Sequence, residues 1–61
     1  MSAKTPVEQV IAMADKLRPH WSTCALVHLE AEYKVAIGPE PDLVRAAALA
    51  IILLERAQAN G

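Results

Sequence analysis

Between Ala46 and Leu54 the chain carries nine consecutive apolar residues, all alanine, leucine or isoleucine. Alanine and leucine favour helix, and a helix this apolar has no polar face to turn to water. Something must cover it. A bilayer is excluded, because a span needs roughly 17–25 apolar residues, so no membrane partner is expected. The whole chain has 61 residues, enough for one domain over 1–61. A domain of that size buries only about 60% of its unfolded surface. Cys24 is the single cysteine, which excludes an internal disulfide. One cysteine and two histidines fall short of a structural zinc site. No metal and no cofactor are expected, leaving packing and self-association as sources of stability.

The charge balance is near neutral, with a formal net charge of −1 and no basic run. Nucleic acid is therefore not an expected partner. Residues Met1 to Pro6 lack the apolar stretch of a secretion signal, so a cytoplasmic location is expected.

Proline punctuates the chain into three segments. In the first, Thr5 is an expected N-cap, Pro6 sits at the first helical position and Glu8 completes a capping box. Val7, Val10, Ile11, Ala14 and Leu17 recur at helical spacing. Pro19 restricts Arg18, so the spacing predicts a helix over about 6–18. The last segment predicts a helix over about 41–59, capped by Glu40 or by Asp42 and ended at Asn60-Gly61. On a wheel of about 100° per residue, Leu43, Ala46, Ala47, Ala50, Ile51, Leu53, Leu54 and Ala57 share one broad face, the expected core. Leu49 and Ile52 fall outside it, between Arg45 and Arg56.

The middle segment alternates. Odd positions from Trp21 to Ile37 are mainly apolar and even positions mainly polar, with Leu26 and Ala36 as exceptions. Period two predicts strand, and the length predicts a hairpin over about 21–37. The expected fold is α+β, a helix–strand–strand–helix with the hairpin packed against two helices. The alternative is an all-α three-helix bundle, with a middle helix over about 23–36. It draws on Ala, Leu and Glu as helix formers and on the Glu30–Lys34 spacing.

Trp21, the run Tyr33-Lys34-Val35-Ala36-Ile37, a proline loop, and then Arg45-Ala46-Ala47-Ala48-Leu49-Ala50-Ile51-Ile52-Leu53-Leu54 form a sequence of features that resembles the small phage-encoded ABA-sandwich domains. The resemblance covers about residues 21–57. It implies a helix–hairpin–helix fold and a phage or prophage accessory role, and no activity.

Several residues could carry chemistry. Cys24 and His28 stand four apart and could be half of a metal site or a nucleophilic pair, which would need a third group. The plainer expectation is a small buried cysteine and a solvated histidine. Glu30 and Glu32 read as solvated turn charges, and no catalytic residue is expected. Arg45, near a helix start, could bind an anion or pair with a neighbouring carboxylate such as Asp42. Trp21 is either an anchor for a partner or a plug at the end of the core. Arg45, Leu49, Ile52 and Arg56 are spaced i, i+4, i+7, i+11, the seam of a helix that meets another helix. Exposing Leu49 and Ile52 would forgo roughly 1.5–3 kcal/mol each, so this stripe is the expected interface of a homodimer or higher oligomer.

The sequence thus points to a small non-enzymatic binding protein, with itself and a host protein as candidate partners. The alternative is a binder of small, nucleotide-like ligands, its site formed at a homo-oligomer interface by Arg45, His28 or Trp21.

Overall fold

The computed structural model describes residues 4–60 and comprises α1 (Pro6–Trp21), α2 (Leu26–Ala36) and α3 (Leu43–Asn60). The described residues contain no strand. The α+β expectation is therefore corrected to the all-α alternative, and the helix–hairpin–helix fold implied by the phage-domain resemblance is absent. Gly61, the expected stop signal, lies outside the described residues, as do Met1 to Ala3.

α1 begins as its sequence dictates. Thr5 is the N-cap, its hydroxyl oxygen accepts from the Glu8 backbone N–H at 3.2 Å, and Pro6 opens the helix. The hydroxyl in turn donates to the Glu8 carboxylate at 3.1 Å. The end differs from expectation. α1 runs through Pro19 to Trp21, three residues beyond the predicted stop at Arg18. An internal proline removes one helical hydrogen bond and costs about 3 kcal/mol. Continuing the helix brings Trp21 against the core, and a tryptophan carries roughly 150–250 Å² of buriable surface. The end is closed by the Ser22 backbone N–H, which donates to the Arg18 carbonyl at 2.8 Å, and by the Thr23 backbone N–H, which donates to the His20 carbonyl at 3.4 Å.

α2 is a helix because its period-two pattern contains a better one of period 3.6. Leu29, Glu32, Tyr33 and Ala36 are spaced i, i+3, i+4, i+7. Leu29 and Ala36 are buried, and Glu32 and Tyr33 half-buried. A helix here leaves Val27 and Val35 exposed, along with Leu26 and Ile37. A lone two-stranded hairpin is at best marginal in water, and Glu30-Ala31-Glu32 offers no turn residue to close one. Local helix preference prevails because no third strand exists to reward pairing.

α3 is capped by Asp42, whose carboxylate accepts from the Arg45 backbone N–H at 3.0 Å. The Asp42 backbone N–H donates back to the Ala36 carbonyl at 2.9 Å, so the proline loop is folded onto the end of α2. α1 and α2 each pack mainly on α3, which is the central element. α1 runs in the same direction as α3: Met13 and Val44 line one groove, and Arg18 meets Glu55. α2 runs the opposite way, with Glu32 at Arg45 and the residues before α2 at Arg56.

The core is small. Leu29, Leu49 and Ile52 are the large side chains that are fully buried. Ala36 and Ala46 complete the cluster, with Leu17, Trp21, Tyr33 and Leu53 at its edge. This inverts the expected phase of α3. Leu49 and Ile52 are 0% exposed, whereas Leu43 is 74% and Leu54 63% exposed. Of the expected core face, Ala46 is buried and Leu53 packs at the core edge, whereas Leu43, Leu54 and Ala57 are exposed. The stability of a 61-residue chain is on the order of 3–9 kcal/mol at the usual value per residue. Leu49→Ala and Ile52→Ala are therefore each expected to lower the urea-unfolding free energy by about 2–5 kcal/mol. Leu54→Ala is expected to change it by less than about 0.5 kcal/mol. Equal effects at the inner and outer positions would contradict the packing.

Candidate functional site

Three stripes run the length of α3, and two of them are defined by what they meet. Arg45, Leu49, Ile52 and Arg56 form the seam toward α2. The Arg45 guanidinium donates to the Glu32 carboxylate at 2.8 Å, with both side chains about 30% exposed. The Arg56 guanidinium donates to the carbonyls of Trp21, at 3.2 Å, and Cys24. The stripe expected to be an oligomer interface is thus an intramolecular one. Its spacing does mark a helix meeting a helix, but the partners are α1, α2 and the turn between them. Arg45 and Arg56 do not mark a wet side of α3. Their long stems instead lie along apolar surface while the heads reach acceptors.

The adjacent stripe, Val44, Ala48, Ile51 and Glu55, has the same spacing and belongs to α1. Val44 lines a groove with α1 residues, Ala48 is fully buried, and Glu55 takes a forked pair of hydrogen bonds from Arg18 at 2.9 and 3.1 Å. Arg18 also bonds Asp15 at 2.6 Å. Glu55 first and Asp15 second hold the Arg18 guanidinium protonated even more firmly than usual. The pair is exposed enough that its role is orientation of α1 on α3 rather than stability.

Among the described residues the third stripe is the outward one. Leu43, Ala47, Ala50 and Leu54 again follow i, i+4, i+7, i+11. Leu43 and Leu54 project outward, Ala47 and Ala50 are half-buried, and Ala57 and Gln58 continue the surface. No charged residue lies on this face. Arg45, Glu55 and Arg56, the charged residues of α3, are each paired with α1, α2 or the turn between them. The result is an uncharged apolar stripe about 16 Å long, at 1.5 Å of rise per residue. Val7 and Ile11, four apart on α1, are also exposed.

The other candidates are dispersed. Cys24 lies 3.5 Å from His20 Nε2 rather than forming a pair with His28, which is exposed on α2. His20 meets the Trp21 ring edge-on, with centroids 4.6 Å apart. A thiol beside an imidazole is a start on nucleophile chemistry, but that chemistry also requires a third, orienting group. Among the described residues no three His, Cys, Asp or Glu side chains are grouped as a metal site would require. Trp21 is half-buried against the core cluster, in the position of a plug. Glu30 is exposed and separate from Glu32, which is committed to Arg45. A shallow groove of about 290 Å³ between α1 and the start of α3 is lined by Lys4, Gln9, Ala12, Met13, Lys16 and Val44. Arg45, His28 and Trp21, expected around a small ligand, do not line it.

Sequence reasoning missed the outward stripe because it let charge choose the wet side of α3. One signal could have found it. With three charged residues gathered on one half of the helix, the opposite half had to be apolar whichever way it faced. Arg56 is the most consequential of the three, since it holds the turn between α1 and α2 by two carbonyls. Arg56→Met keeps the apolar stem and removes the donors. It is expected to lower the melting temperature measurably, by a loss of about 2–3 kcal/mol for charged hydrogen bonds, without changing the far-UV helical signal of the remaining folded state. A melting temperature equal to that of the parent would rule out this role.

Compared with models of protein families, with curated proteins and with solved structures, the chain has no match.

Proposed function

We propose that the protein is a non-enzymatic interaction module that engages a polypeptide partner along the outward face of α3. One observation carries this reading: an uncharged stripe with Leu43 74% and Leu54 63% exposed, where only three large side chains are fully buried among the described residues. Contiguous exposed apolar surface on a small domain marks a place where something else binds. An apolar helix face with anchors at i, i+4, i+7 and i+11 is the form in which helices meet helices.

The ligand-binding alternative has less behind it. Arg45, its main anion-binding candidate, already has a carboxylate partner in Glu32. The accessory role implied by the phage-domain resemblance depended on a hairpin that the chain does not form, so the present reading rests on the α3 face alone. Among the described residues no helix is long and apolar enough to cross a membrane.

Site-specific photo-crosslinking in an extract of the native cells tests the proposal. A benzophenone side chain at Ala50 is expected to give discrete adducts. The same group at Ala31, exposed on α2, is expected to give none above background. Leu54→Glu should abolish the Ala50 adducts while preserving the melting temperature, since Leu54 lies outside the core. Absence of adducts at Ala50, or equal labelling from Ala31, would overturn the proposal.

A further inference from the structure

We infer that the occupant of the outward α3 face is a second copy of this chain, docked antiparallel about a two-fold axis that passes between Ala48 and Leu49. The inference rests on the reading of this face as an interaction surface and names its partner.

The argument is one of symmetry. In a two-fold dimer the same patch is used on both copies, so residue i meets j and j meets i. The patch must therefore match itself after a half turn. The α3 stripe does so. Read from either end it is Leu, Ala, Ala, Leu, with spacings of four, three and four. Laid antiparallel on a copy of itself, Leu43 faces the second copy's Leu54 and Ala47 faces its Ala50, and each of these pairs occurs twice. The alanines at the centre let the two backbones approach closely, and the leucines close over both ends.

Charge supports both the self-pairing and its direction. The face carries no charged side chain, so two copies meet there without bringing like charges together. The formal net charge of −1 gives little long-range repulsion between chains. Direction follows from the ends. Glu40 and Asp42, both exposed, stand just before α3. A parallel dimer would gather these carboxylates from two chains at one end, whereas an antiparallel dimer keeps them apart and pairs the helix dipoles head to tail. The stripe alone is smaller than a standard interface, which buries roughly 1,200–2,000 Å². The association is therefore a concentration-dependent equilibrium rather than a permanent dimer.

Sedimentation equilibrium across a wide concentration range is the first test. The mass is expected to rise from 6.6 kDa toward twice that value. Leu54→Glu should abolish the rise. Val35→Glu, at a residue 70% exposed on α2, should leave it unchanged, which separates this face from exposed apolar residues in general. Circular dichroism confirms that both variants remain helical. Orientation is tested in a Cys24→Ser background. Chains carrying Leu43→Cys are expected to form disulfide-linked dimers when mixed with chains carrying Leu54→Cys, and neither chain is expected to do so alone. A mass of 6.6 kDa at every concentration would overturn the self-partner. If Ala50 then still crosslinks in extract to proteins of other masses, the interaction face survives and only its occupant is wrong. Disulfide dimers of the Leu43→Cys chain with itself would overturn the antiparallel arrangement.

Discussion

The burial of one stripe of α3 organises this molecule. Leu49 and Ile52 supply two of its three fully buried large side chains, and the third, Leu29, reaches them from α2. Arg45 and Arg56 close the two ends of the same stripe by hydrogen bonds to Glu32 and to the carbonyls of Trp21 and Cys24. Each arginine head satisfies acceptors while its stem extends the apolar surface, so the stripe has no unfavourable boundary. Once it faces α2, the phase of α3 is set. The neighbouring stripe, from Val44 to Glu55, then necessarily faces α1.

The same constraint creates the exposed face. A helix offers a limited circumference, and two neighbours cover only part of it. In a larger protein a third element would lie on Leu43, Ala47, Ala50 and Leu54. Here the described residues supply only α1 and α2 beside it. α1 and α2 also leave apolar residues outside, notably Val7, Ile11, Val27 and Val35, but none of them forms a charge-free stripe the length of the one on α3. Exposure of apolar surface costs a small domain stability that it can hardly spare. A partner on α3 recovers it, and the palindromic order of that stripe makes another copy of the chain a fitting one.

Local signals were legible where they act over one helical turn. Thr5, Pro6 and Glu8 specify the start of α1, and of the two caps expected for α3, Glu40 and Asp42, Asp42 is the one formed, because capping is a matter of adjacent backbone and side-chain groups. Pro19 was misleading, since what lies beyond it is held by the burial of Trp21, a tertiary term. The alternation from Trp21 to Ile37 was misleading for a similar reason. Period two and period 3.6 coexist there, and the choice depends on whether strands or helices are available as neighbours. Leu29 and Tyr33 fit both patterns, so only the presence of α3 distinguishes them.

By itself, the sequence determined that α3 is a helix apolar on nearly all sides and that it exceeds what a chain of this length can cover. It also determined the spacing of a helix-to-helix seam from Arg45 to Arg56. Only the tertiary structure decided which side of α3 is inside. The reason is that a guanidinium counts as surface until its acceptors are known. Glu32 and the two carbonyls of the α1–α2 turn lie far away in the sequence, and they become neighbours of Arg45 and Arg56 only when α2 folds back antiparallel to α3.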